Sequence, residues 1–216
     1  MRDYSYTEVN ALHKSFTGSN KPIGPETQLV VKLNEPEHVE FIKAFHKRMP
    51  KVDTLRLKSL SDSSEAVVRF MKNYFPESVR EFSLNAYSEL NHYLPFYMNA
   101  LETISSKVER SIIICNFEVT QKDLTRLLSL FKHKTSFSFT NCKLLLSTIP
   151  RFGSSLAGST LTTLDLTGCG KPTRGNWKVN SLHLNNLIAG LLKDKSVNKN
   201  LQWIGFDGYN HRGTMV

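Results

Sequence analysis

Residues 153–171 read GSSLAGSTLTTLDLTGCGK, and two incompatible structures compete for them. Gly153-x4-Gly158-Ser159-Thr160 has the outline of a phosphate-binding loop. Leu161-x2-Leu164-x-Leu166-x2-Cys169 has the spacing of a short apolar strand running into a turn. A phosphate loop needs a strand before it, a helix after it and a lysine ahead of the Ser/Thr. Here Ser159 holds the lysine position and the order is reversed, with a helix-like segment first and a strand second. The stretch is therefore expected to join a helix to a strand, with Gly158 stopping the helix.

That strand has company. Short apolar segments recur as VDTLRLKSL from 52, VREFSLNAY from 79, the isoleucine run of RSIIICNF from 110, KTSFSFTNC from 134, LTTLDLTGC from 161 and LQWIGFDGY from 201. Leu55 and Phe82 are 27 apart, as are Phe137 and Leu164, and Cys115, Cys142 and Cys169 keep the same interval. Leu164 to Ile204 is 40, which implies an insertion around GCGKPTRGNWK. Helix-period stretches lie between: HVEFIKAFHKRM (38–49), SEAVVRFMKNYF (64–75), DLTRLLSLF (123–131) and SLHLNNLIAGLL (181–192). TQLVVKLN (27–34) is a further strand, ended by Pro36. Residues 1–24 read as an N-terminal tail or cap, and 25–216 as the repeating domain. A strand and a helix alternating every 27 residues or so can bury the strands' apolar side under the helices.

This pattern resembles the leucine-rich repeat family, in its helix-backed, cysteine-containing, ribonuclease-inhibitor-like class. The best-matching unit runs from CNFEVTQKDLTRLL through FKHKTSFSFTNC. Over roughly residues 25–209 the resemblance implies an α/β solenoid, a right-handed horseshoe of six or seven units. Its parallel sheet would line the concave face and its helices the convex one. The resemblance also implies that Cys115, Cys142 and Cys169 sit in the turns after the strands and satisfy backbone groups there. The match departs from the family at Arg110 or Ser111, one of which falls in a leucine slot, and at Tyr87, where Asn or Cys is usual. No helix follows the last strand in DGYNHRGTMV.

Catalytic chemistry is not expected. The histidines form no metal-binding pair, and no paired carboxylates, nucleophile elbow or Cys/His arrangement stands out. Neither a cofactor, a metal nor a small-molecule substrate is expected. Three cysteines without a CxxC pair suit reduced thiols in a cytoplasmic or nuclear setting. The start carries no secretory pattern, and no window approaches the roughly 20 apolar residues of a membrane span.

A formal net charge of +9 admits an acidic partner. The cations gather near helix C-termini: Lys47 and Arg48, Lys132 and Lys134, Lys193 and Lys195. There they offset the negative end of each helix dipole, at about 0.3–1 kcal/mol apiece, or they form a rim that receives phosphates or acidic protein. The 170–178 loop sets Arg174 beside Trp177, as a binding hot spot or as a lid on the last helix. With Leu55 and Leu57 pointing inward, the other strand face presents Arg56, Lys58, Glu81, Asn85, Asp165, Trp203 and Asp207. The expected function is non-enzymatic: a scaffold or adaptor binding a protein through this face and the 170–178 loop. A basic module within an RNA-containing assembly is the alternative, and the substrate-recognition part of a ubiquitin ligase a third.

Overall fold

The computed structural model describes residues 28–33, 51–59, 64–86, 92–146, 149–167, 169, 181–206 and 209–212. Along the chain run β1 (Gln28–Leu33), β2 (Lys51–Ser59), α1 (Ser64–Asn73), β3 (Ser78–Asn85), β4 (His92–Tyr93) and α2 (Pro95–Ile104). They are followed by β5 (Val108–Cys115), β6 (Phe117–Thr120), α3 (Gln121–Leu130), β7 (Ser136–Thr140), β8 (Lys143–Leu145) and a 3-10 turn at Gly153–Leu156. The last elements are β9 (Thr163–Asp165), α4 (Ser181–Leu192), α5 (Lys195–Asn200), β10 (Trp203–Phe206) and β11 (Tyr209–Arg212).

The fold is α/β with a mostly parallel sheet. Eight strands line up as β1-β2-β3-β5-β7-β9-β10-β11, in the order in which the chain makes them. Every neighbouring pair is parallel except β10 and β11, which run antiparallel. That last pair corrects the expectation of a uniformly parallel sheet. Strands β4, β6 and β8 form a second, three-stranded parallel sheet.

Apolar side chains stand opposite one another across the large sheet. One row runs Leu55, Phe82, Ile112, Phe137, Leu164, Ile204, and a second runs Leu57, Leu84, Ile114, Phe139. All ten are buried. The two-residue period of a strand puts both rows on one face, and each such side chain contributes about 1.5–3 kcal/mol by leaving water. Between β3 and β5 the register slips after Val79, so that Phe82 pairs with Ile112, 30 positions on. Ser111 thereby falls opposite Glu81, on the polar side, and Ile112 takes the leucine slot.

The helices cover the apolar face. Val67, Phe70 and Met71 of α1, Tyr97, Leu101 and Ile104 of α2, and Leu124, Leu127 and Leu128 of α3 share one core with the strands. Phe75 meets Phe82 edge-on at 5.2 Å between ring centroids, and Phe131 meets Phe137 at 6.3 Å. Pro95 opens α2, where a missing N–H costs nothing. At the start of α3, Thr120 Oγ1 accepts from the Asp123 amide (3.2 Å) while Asp123 Oδ2 accepts from the Thr120 amide (3.3 Å). This reciprocal cap satisfies two otherwise orphaned donors. Asp123→Ala is expected to lower stability by about 0.5–2 kcal/mol, read as a shift in urea midpoint at constant slope.

The steps from β5 to β6 and from β7 to β8 each go through a left-handed residue, Asn116 (φ 63) and Asn141 (φ 53). Asparagine tolerates that region better than any other residue bearing a large side chain. Asn116 Nδ2 also donates to Asn85 Oδ1 (2.7 Å) and to the Ala86 carbonyl (3.0 Å), tying this turn to the preceding one. The segment that outlined a phosphate loop is the 3-10 turn, closed by Gly158 at φ +70 and leading into β9. The expected helix over 38–49, residues 1–24 and the 170–178 loop lie outside the described residues. Among the described residues, no helix is long and apolar enough to cross a membrane.

Candidate protein-binding surface

The face opposite the core is polar, and its residues also fall into rows. The central row runs Arg56, Ser83, Ile113, Ser138, Asp165, Gly205. Beside it lie Thr54, Glu81, Ser111, Ser136, Thr163, Trp203 on one side and Lys58, Asn85, Cys115, Thr140 on the other. Of the residues expected here, Arg56, Lys58, Glu81, Asn85, Asp165 and Trp203 are partly exposed. Asp207 lies outside the described residues, as do Arg174, Trp177, Lys47 and Arg48.

The rows are graded in charge and size. Arg56 and Lys58 stand together in β2, and Asp165 lies in β9. Between them lie three small hydroxyls, Ser83, Ser111 and Ser138, each under a tenth exposed, together with Ile113 and Glu81, which are partly exposed. Asp165 is held in place: Oδ1 accepts from the Thr167 amide (3.0 Å) and the Thr167 hydroxyl, and Oδ2 from Ser138 Oγ (3.4 Å). Its neighbour across the sheet is Gly205. A Cβ at that position would lie 2.8 Å from Asp165 Oδ1 and from Trp203 Cζ2, and closer still to Trp203 Cη2. The benzene half of the Trp203 indole therefore lies over Gly205, beside the Asp165 carboxylate. Nothing in the spacing of WIGFDG signalled this arrangement, which depends on two strands meeting.

The cysteines divide. Cys142 Sγ donates to the Ile114 carbonyl and Cys169 Sγ to the Phe139 carbonyl, each at 3.2 Å. Cys115 does not occupy the equivalent position, despite its interval of 27. Phe137 pairs with Ile112, only 25 positions back, so Cys115 stands opposite Thr140 on the polar face. Phe117, buried, comes where Cys142 does one strand later. The Cys115 thiol is pushed above its usual range by burial, an effect opposed by hydrogen bonding to Ser83 and Thr140 and by the charges of Arg56 and Lys58.

Burial, and then the neighbouring Cys169, hold the Cys142 thiol well above the ordinary 9.0. The unfolded chain thus loses this proton first as the pH climbs. The stability it contributes is complete below 9.0 and declines above that value. Cys142→Ser is expected to flatten the fall of melting temperature as the pH rises above 9.0, the ordinary thiol pKa.

The cationic rim is partly engaged. Lys132 Nζ donates to the Ala157 carbonyl (3.2 Å) at the end of the 3-10 turn. Lys134 is partly buried, which lowers its ammonium pKa against the pull of Glu109. Lys193 and Lys195 follow α4 within three residues, and Lys195 also opens α5. Among the described residues, no group of three His, Cys, Asp or Glu side chains could hold a metal ion.

Compared with known proteins, the chain matches no family model, no curated protein and no solved structure.

Proposed function

We propose that the chain is a protein-binding scaffold or adaptor, a solenoid of the leucine-rich repeat type whose polar strand face receives the partner. Several observations support the solenoid. The strands follow one another across the sheet without the order reversal that creates a ligand crevice in doubly wound folds. Parallel sheets ordinarily carry helices on both faces; here the helices' buried sides and the strands' apolar rows make one core, and the opposite face is polar. Cys142 and Cys169, though not Cys115, follow their strands and donate to backbone carbonyls of the strand before.

The observation that carries the binding reading is the central polar row, which crosses six strands in register from Arg56 to Gly205. Strands set the spacing of its side chains, so the surface is pre-organised, and binding to it costs little ordering entropy. The rim gives less support to an RNA-containing assembly, because Lys132 and Lys134 have local partners. Affinity purification of the endogenous protein, wild type beside Arg56→Ala/Lys58→Ala/Trp203→Ala, tests the proposal. The variant should lose the co-purifying protein with an unchanged far-UV circular dichroism spectrum. Undiminished recovery of the same protein would remove the strand face from consideration. A complex that dissolves steeply between low and physiological salt and depends on Lys193 and Lys195 would instead point to RNA.

A further inference from the structure

The polar face is bipolar, and we infer that its partner is an extended polypeptide segment carrying an acidic residue and, about six residues away, a basic one. This rests on the reading that the polar face is the docking surface, and it adds the chemistry of what docks. The positive pole is Arg56 with Lys58; Glu81, in register with Thr54, lies on the other side of Arg56 from Lys58. The negative pole is Asp165, fixed by Ser138 and Thr167, with the Trp203 ring beside it over Gly205. A carboxylate flanked by an indole suits an arginine or lysine side chain, which gains an ion pair and a cation–π contact together.

Spacing sets the length. From β2 to β9 there are four strand intervals, about 19 Å at about 4.8 Å each, and an extended chain at about 3.3 Å per residue covers that in about six residues. The floor between the poles permits close approach. Ser83 and Ser138 are small and nearly buried, and Ile113, half-buried, offers one apolar contact at the centre. A polyanion does not fit this face, because its far end would meet Asp165. Charge complementarity selects a segment with both signs, and the wrong sign at either end is penalised.

The test is a phage-displayed library of random peptides, panned against the full chain near physiological salt. Recovered sequences should share an Asp or Glu and a Lys or Arg about six residues apart. Synthetic copies should bind about tenfold more weakly to Arg56→Gln and to Asp165→Asn, the loss of about 1.4 kcal/mol expected for a charge-assisted contact. Replacing the peptide's basic residue by Glu should abolish binding to the wild type and restore it to Asp165→Lys. A variant that had simply misfolded would not give that rescue. Enrichment of sequences of a single sign, dependence on Arg56 without Asp165, or no enrichment at all would overturn the bipolar partner. Peptides that depend on Arg56 alone would leave the face as a docking surface. Peptides indifferent to Arg56, Lys58, Asp165 and Trp203 alike would end that reading too.

Discussion

Phe137→Ala should destabilise the chain by about 3–5 kcal/mol, the cost of deleting a large buried ring and leaving a cavity behind. Phe137 is fully buried in the middle of the sheet, between Ile112 and Leu164 in register. It also touches rings on two sides, Phe131 after α3 and Phe139 in its own strand at 4.7 Å. A domain of ordinary stability has only about 5–15 kcal/mol in all, so the variant should be largely unfolded at temperatures the wild type withstands. Hydrogen exchange adds a second reading. Because each strand bonds only to its neighbours, protection should fall most in β5, β7 and β9 and least in β2 and β3. A uniform loss across all strands would show that the sheet opens as one cooperative unit.

Gly205→Ala is the second substitution with a large expected effect, on binding more than on folding. The added methyl group would occupy the space of the Trp203 ring, crowding Asp165 as well. The indole is the far end of a side chain and can swing away, so the cost to stability should stay near the about 1–3 kcal/mol typical of overpacking. The negative pole of the face would be dismantled, however. With Trp177→Phe removing the chain's other tryptophan, emission from Trp203 should shift to the red in Gly205→Ala, and affinity for a selected peptide should fall at least about tenfold, the equivalent of about 1.4 kcal/mol. Retained affinity with a displaced indole would show that Trp203 takes no part in recognition.

The parallel alternation of strand and helix was legible because long apolar periods are strong signals. SLHLNNLIAGLL marks α4 to the residue, and the rows through Leu55, Phe82 and Leu164 follow from spacing alone. Helix α2 had no legible bounds, although Tyr97, Leu101 and Ile104 have helical spacing behind Pro95, because a stretch as aromatic as PFYMNALETI also suits a strand. Strands β4, β6 and β8, two to four residues each, are too short to carry any period. Cys115 misled for a definite reason. The register slip after Val79 and the shorter step from β5 to β7 move the third strand against the cysteine interval, so equal spacing in sequence became different faces in space. The site was legible as a set of polar strand positions, each fixed by alternation with a buried neighbour. Its pairing was not, because Trp203, Gly205 and Asp165 come together only through tertiary contact between β9 and β10.

Strand order in the main sheet has a mechanical consequence. A load drawn along the row of strands meets the hydrogen bonds of one pair at a time, since β2, β3, β5, β7 and β9 are each bonded to the next in the chain. Partners in these pairs are 25 to 30 positions apart, so every strand that peels away releases about 90 Å of slack at about 3.3–3.6 Å per residue. Between β2 and β9 such a molecule would lengthen under tension in similar, spring-like increments, one strand at a time.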